Sequence, residues 1–523
     1  MRINLRIQII LFISLCFGWQ NSNFGQVTEN DSISSGQSNI SSDQTQLLQL
    51  YDQYTANGGP LIDFDFNAKY DPQAIKWDLK VLKSALEEAK TGLDSVDQDR
   101  LSNAFLIANE NADDSLSYME FVRVIARVFN AVSCGHSGLS HHPDYYYYRQ
   151  ENMLFFPLDI YTIDDRYFIK SSFSFDMRPR PYDEILSLNG RTPAEITKIL
   201  QMHMALDGTS AADGTALVQS YFTMAYSNFL ENPSLLNITL KSYGSGREST
   251  FDLKPLHLIS LDANRTKRNK GKTTPKPLQF EVDKANNSAV YTVKSFNNQT
   301  LANNKQEFYA FTDSIFGDLN TQGIGNLIID LRGNMGGWTA NGAHLFSYFI
   351  NAPQAYINSV ETMKYEDYSF APIITTDPGY LDTFQMEKRD NGMYSWVNYP
   401  SLTVNPASKN MFNGNCYILI DDLTRSSAAV FSALMDSHTK AVFIGHEMGG
   451  SQSDSHGMVM GIQLPYTGLM IHFATAKYSL SVKDPSNNKG VIPDHKVSNT
   501  LEDYKSGSDS PMKKALELID QQK

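Results

Sequence analysis

Cysteine is nearly absent: the chain has three in 523 residues. Cys16 falls in an N-terminal segment with the features of a removable leader, which leaves Cys134 and Cys416. One pair cannot make a disulfide framework, and two buried thiols serve as well. Long apolar runs are also missing. Beyond the leader no stretch approaches the ~18 apolar residues that a membrane-spanning helix needs. A cationic surplus is lacking too. The formal net charge is −13, and loss of residues 1–25, which hold Arg2 and Arg6 and no acid, makes it −15. Such an acidic balance disfavours nucleic acid and anionic membrane surfaces as partners. No P-loop, dinucleotide fingerprint or zinc spacing occurs, so neither a metal nor a cofactor is expected. His141 and His142 beside Asp144 have no second cluster at ligand spacing, and read as a polar loop.

What is present suits a multidomain exported protein. Hydrophobic residues make up 41% and aromatics 11%, enough to build cores and exclude general disorder. The length suggests two or three domains. Residues 1–25 read as a signal peptide, with Arg2 and Arg6 first, an apolar run from Ile9 to Trp19, and Gly25 before a cut at Gln26. The expected location is periplasmic or extracellular, with no membrane attachment after its removal. Residues 26–43 are a polar, flexible leader. Residues 44–150 are helical. The clearest helix opens with Ser117 and Glu120 at capping-box spacing and carries Phe121, Val122, Ile125, Phe129 and Val132 on one stripe. It delivers His136 in the loop that follows. Tyr145 to Tyr148 form either a substrate shelf or, more simply, a packing patch.

Residues 151–258 are rich in strands. Asp183 to Ile196 reads as a strand, an Asn-Gly turn and a helix start. Residues 259–279 form a linker, since Arg265, Lys267, Arg268, Lys270 and Lys272 suit a solvated segment. From 280 to 523 strand and helix patterns alternate. Strands are expected at Ala289–Val293, Leu327–Leu331, Cys416–Asp421 and Ala441–Gly445. Helices are expected at Phe308–Leu319, Gly342–Ile350 and Ser427–Ser437. This alternation argues an α/β layered core. Residues 351–415 interrupt it with an insertion that either caps a cleft or is a structural excursion.

Two distant stretches complement one another chemically. Asp330 to Gly337 reads Asp-Leu-Arg-Gly-Asn-Met-Gly-Gly after the apolar Leu327-Ile328-Ile329. Cys416 to Ile420 leads through Asp421-Asp422-Leu423-Thr424-Arg425 into Ser426, Ser427, Ala428 and Ala429. The second stretch sets a serine at a helix start, where free amides and the dipole favour an anion. The Gly-Gly pair lets backbone approach a ligand closely. A hydroxyl nucleophile and two backbone N–H donors are what acyl transfer requires.

These residues resemble the S41 peptidases, which include C-terminal processing proteases, the tricorn core and retinoid-binding relatives. The resemblance spans residues 115 to 523. Leu327 to Gly337 is similar to the family's LIIDLRxNxGG, and Thr424 to Phe431 to its nucleophile segment. Ile444-Gly445, continuing through Gly449 and Gly450, falls on its IGxxTxGG turn, and Lys489 to Val497 resembles the closing GVxPDxxV. Asp183 to Ile196 is similar to a segment of PDZ-like domains that such peptidases often carry. The resemblance therefore implies an α/β, multidomain chain of helical N-terminal domain, PDZ-like module and S41 catalytic core, acting on peptides or proteins.

The departures select the chemistry. Where the processing proteases place a lysine, 25 positions after the serine, this chain has Ser451. Lys440 and Lys477 lie off that position. The tricorn-like branch takes a histidine base from a short turn near the N-terminus, and Ser133-Cys134-Gly135-His136-Ser137-Gly138-Leu139 matches it. That branch has a serine before the histidine and a glutamate near the closing motif, where this chain has Gly135 and Asn487. The orienting acid then falls to Asp484 or to an acid elsewhere. The resemblance implies Ser426 as nucleophile, His136 as base, and the amides of Gly337 and Ser427 as oxyanion donors. Asp330 and Arg332 take structural roles in the turn, and His472 a place in a cleft wall or core. A catalytically inactive relative binding peptide or a small apolar ligand is the alternative. Oligomeric state cannot be read from the residues.

Overall fold

The predicted capping box forms in the computed structural model, which describes residues 42–89, 96–207, 213–271, 273–376, 385–407, 409–484 and 489–522. The leader at 1–25, the polar residues 26–41 and Asn487 lie outside the described residues. Helix α1, Tyr118–Val132, starts where the Ser117 side chain accepts from the Glu120 amide and the Glu120 carboxylate accepts from Ser117. Its expected stripe is buried. At Ser133 the backbone turns left-handed, with φ 53°, and the helix stops. Five residues later the chain enters strand β1, Gly138–Leu139. Helices Ser42–Asn57, Pro72–Glu88 and Gln98–Asn111 complete the N-terminal region, which shares one continuous apolar cluster with the C-terminal half. Fully buried Asp78 joins the two, accepting from the amides of Tyr466 at 3.0 Å and Thr467 at 2.8 Å. Burial pushes this carboxyl up to about 6, although the hydrogen bonds oppose the shift.

The His141-His142 pair is not a polar loop. His141 stacks on Tyr145 at 4.1 Å and meets the Tyr118 hydroxyl, and burial lowers its pKa to about 3. His142 caps the helix Pro143–Asn152, its Nδ1 accepting from the Asp144 amide. Tyr145 is fully buried among these rings, whereas Tyr147 is half exposed. The tyrosine run is therefore mainly a packing element.

Five strands, Leu158–Ile163, Arg166–Ser172, Glu184–Leu188, Leu236–Lys241 and Glu248–Leu253, form an antiparallel sheet in sequence order. Helices Pro193–Gln201 and Asp213–Ala225 contribute Ile196, Leu200, Val218 and Phe222 to an apolar cluster belonging to this unit. The turn at Asn189-Gly190 takes positive φ at both residues, as the dipeptide allows. Part of the expected linker is ordered differently. Leu258–Arg268 is a helix, because Leu261 supplies a buried anchor beneath its basic surface.

The C-terminal half is built on two sheets. In the first, Leu278–Asp283, Ser288–Val293, β2 (Asn326–Asp330), β3 (Asn415–Ile420), Val442–Gly445 and His495–Lys496 lie side by side, parallel except for the first pair. Helix α2, Ser427–His438, follows β3. The second sheet centres on β4, Met470–Leu480, paired with Asp454–Gln463 and Ile357–Thr362. The insertion thus supplies strands to this sheet, with Met386–Lys388 and Tyr394–Trp396 at its edge. Strand β1 also adds to β4, pairing Leu139 with Ile471 and Gly138 with His472. Near the C-terminus, helix Leu501–Ser506 stacks Tyr504 on Tyr161 and brings Glu502 and Lys505 to the Tyr243 hydroxyl. Asp509 meanwhile pairs with Arg332 at 2.7 Å.

Asp78 should matter for stability. Asp78→Ala strips one buried and one partly buried amide of their acceptor, at about 1–3 kcal/mol for each left unsatisfied. Urea unfolding of the variant should show the loss, and an unchanged midpoint would mean that solvent replaces the carboxylate.

Candidate active site

Ser426 occupies a strained turn between a buried strand and a buried helix. Residues Cys416 to Ile420 of β3 are all buried, and β3 lies between parallel neighbours. The turn is fixed by hydrogen bonds. The Thr424 hydroxyl donates to Leu331 O, the Arg425 amide to Asn334 O at 3.0 Å, and the Gly333 amide to Asp421 at 2.9 Å. Ser426 then sits at φ 51°, ψ −127°. A non-glycine residue in such a sparsely populated conformation costs roughly 1–3 kcal/mol and persists when its surroundings overdetermine it. Although it heads α2, its hydroxyl makes no cap hydrogen bond to the helix. Instead Ser426 Oγ lies 3.1 Å from His136 Nε2.

The glycine loop closes against the same turn. Asp330 accepts from the Arg332 amide and guanidinium, and Lys294 adds a second cation. Burial would raise this carboxyl, but the two cations hold it below its ordinary value. These residues brace the loop, as expected. Gly336, at φ +97°, packs so closely that a Cβ there would stand 2.7 Å from Ser426 Cβ and 2.9 Å from Ser427 N. The Gly336 amide is occupied by Asn334 Oδ1 and the Trp338 amide by Phe296 O. The Ala428 amide is occupied by Arg425 O. Among the described residues no hydrogen bond uses the amides of Gly337 or Ser427. The Ser427 hydroxyl donates to Gly337 O at 2.6 Å, which joins the two donor-bearing residues.

His136 reaches the serine from the N-terminal region because β4 captures its loop. Besides the β1 pairing, the Ser140 amide donates to Met470 O and the Ala474 amide to the Ser137 hydroxyl. Burial lowers the imidazole pKa; Asp207 opposes this, while His456 and Arg425 reinforce it. A neutral ring with its lone pair on Nε2 can take the serine proton. His472 lies half-buried beside this loop, hydrogen-bonded to Ser140 Oγ at 2.7 Å, and desolvation lowers its pKa to about 4. It is a wall residue.

Among the described residues, the acid beside His136 is Asp207, which follows the helix Pro193–Gln201. Its Oδ1 accepts from the Gly135 amide at 2.5 Å, and Oδ2 pairs with Arg425 at 3.1 Å. Asp484 is exposed in the loop after β4. Little in the sequence marks Asp207, in a polar stretch between two helices. The one hint is the glycine before His136. Ser451, at the family's lysine position, shares a hydrogen bond with Ser453. Lys440 is exposed, and Lys477 pairs with Asp454. Cys134, His136 and Asp207 offer ligand-type atoms within 4.8 Å of one another. Asp207 is already neutralised by Arg425, however, and burial pushes the Cys134 thiol up to about 12, so this donor set is poorly prepared for a cation.

Comparison with known proteins accords with this geometry. Residues 287–497, which span both the glycine loop and Ser426, match peptidase family S41. The region that holds the glycine loop and Ser426 is therefore an S41 peptidase domain. Mature CPAF complexed with lactacystin has a similar structure, with a TM-score of 0.59 at 14% identity, covering 86% of this chain and 98% of that one. Mature CPAF in another crystal structure gives 0.56 at 13% identity, with coverage of 86% and 96%. At these identities the likeness is one of fold. No curated protein matches the chain.

The close approach at Gly336 makes a direct expectation. In Gly336→Ala the new methyl must push Ser426 or the Ser427 amide aside. Reaction with a serine-directed fluorophosphonate should slow by ~10²-fold or more, the scale of losing an oxyanion donor. Wild-type reactivity in a variant with normal thermal unfolding would refute the crowding.

Proposed function

We propose that the chain is an exported endopeptidase using a Ser426/His136 pair. The observation that carries the reading is the 3.1 Å approach of His136 Nε2 to Ser426 Oγ. Ser426 Oγ attacks the peptide carbonyl carbon as its proton passes to Nε2. The carbonyl electron pair moves onto oxygen, which the amides of Gly337 and Ser427 receive. As the oxyanion collapses the C–N bond breaks, and the imidazolium returns its proton to the departing amine. Water, deprotonated by the same nitrogen, then attacks the acyl-enzyme and releases Ser426. Retention of the nucleophile, base and glycine loop in one site favours catalysis over a binding role.

Export rests on the N-terminal leader read in the sequence. Among the described residues, no helix is long and apolar enough to cross a membrane. The five-stranded unit is read as a PDZ-like module, its edge strands Leu158–Ile163 and Glu248–Leu253 suited to an added peptide strand.

Ser426→Ala should abolish fluorophosphonate labelling and peptide cleavage while leaving the fold intact. His136→Ala should cost roughly 10²–10⁴-fold if the ring is the general base, and Ser451→Ala little. A collapse in Ser451→Ala, or full activity in His136→Ala, would overturn the pairing. Because burial lowers the His136 pKa, activity should fall on acidification through a value below the ordinary ~6.5 of imidazole. A limb at or above that value would contradict the buried neutral base. Exported material should begin at Gln26, and N-terminal sequencing that finds Met1 would exclude leader removal.

A further inference from the structure

We infer that Asp207 is the positioning residue of this active site, one carboxylate that fixes both catalytic loops and lends its charge to the imidazolium. The inference rests on the Ser426/His136 reading and adds the member which that reading leaves open. Each oxygen of Asp207 holds the residue immediately before a catalytic one. Oδ1 accepts from Gly135 N, the peptide that carries His136, and Oδ2 pairs with Nη1 of Arg425, the neighbour of Ser426. Arg425 is itself anchored through its amide to Asn334 O and through Nε to Asp422 O. The pair is largely withdrawn from solvent, with Arg425 side-chain exposure at 6%. The carboxylate consequently bridges the histidine loop, the serine turn and, through Asn334, the glycine loop.

Gly135 is the complementary half of this arrangement. A Cβ there would stand 2.5 Å from Asp207 Oδ2 and 2.9 Å from its Cγ, so only glycine lets the carboxylate come this close. The departure at position 135 noted in the sequence thereby acquires a physical reason: a side chain at 135 and the carboxylate of Asp207 cannot share the space.

Charge adds to geometry. When His136 accepts the serine proton it becomes cationic within 4.8 Å of an Asp207 oxygen, where a fixed negative charge favours the charged ring. Among the described residues, the ring is also influenced by Arg425, His456 and His472 and lies near the Cys134 thiol, none of which supplies negative charge in its ordinary protonation state. Asp454 lies farther off, influencing Cys134.

Asp207→Asn retains an oxygen for the Gly135 amide and removes the charge. Conversion to the amide of an acid hydrogen-bonded directly to a catalytic imidazole costs about 10⁴-fold, whereas outer partners that orient a working imidazole are worth ~10–100-fold. The latter scale is expected in kcat for peptide hydrolysis, with KM little changed. The acid limb of kcat/KM should also move to lower pH, because a ring without the Asp207 charge protonates less readily. Gly135→Ser, which displaces the carboxylate sterically, should reproduce both effects in protein that melts like wild type.

An unchanged acid limb in folded Asp207→Asn, whatever its kcat, would overturn the role assigned to the charge. Normal kcat and pH profile in Gly135→Ser would overturn the steric half. Ser426→Ala and His136→Ala run alongside. If those two stay active, the Ser/His reading itself has failed. If they are inactive while Asp207→Asn behaves as wild type, the error lies with Asp207 alone.

Discussion

Everything in the active site depends on one hydrogen bond, between His136 and Ser426, that closes a loop of 290 residues. Neither partner has a local reason to be near the other. The histidine hangs from a helix of the N-terminal region, the serine from a strand of the C-terminal sheet. What brings them together is the brief β1 pairing with β4, supported by contacts from Ser137 and Ser140. Backbone hydrogen bonding of this kind fixes a segment in direction and register at once. The loop therefore arrives with its imidazole aimed rather than merely close.

The serine side of the bond is rigid for a different reason. Helix α2 is buried around most of its circumference, from Ser427 through Met435, and so behaves as part of the core. With β3 equally buried, the turn between them has no freedom to relax its unfavourable backbone angles. The strain at Ser426 keeps the hydroxyl off its own helix and turned toward the histidine. Gly336 then fills the space left beside it, which places the glycine loop by contact as well as by hydrogen bonding.

Features written in contiguous residues were legible from the sequence. The alternation in the C-terminal half, the capping box at Ser117 and the glycine loop all depend on neighbours within a few positions, and each forms at nearly its expected place. Ser426 and His136 were readable because motifs surround them. Asp207 was not, since the groups it holds, Gly135 and Arg425, lie 72 residues before it and 218 after. His141 failed for a related reason: next to another histidine and an acid it looks polar, and only the packing of Tyr145 and Tyr118 draws it into an aromatic cluster. The insertion was ambiguous because short strands such as Tyr394–Trp396 have no pattern until a partner strand exists to pair with them.

The clamp near the C-terminus has a consequence for how the molecule comes to be assembled. Residues 501–509 grip the five-stranded unit through Tyr161 and Tyr243, and the glycine loop through Arg332. They also follow His136 and Ser426 in chain order. A nascent chain emerging from the ribosome exposes its serine and histidine well before the segment that braces them exists. Such a chain carries both residues before the C-terminal clamp can form, and the clamp closes only after synthesis has passed residue 509.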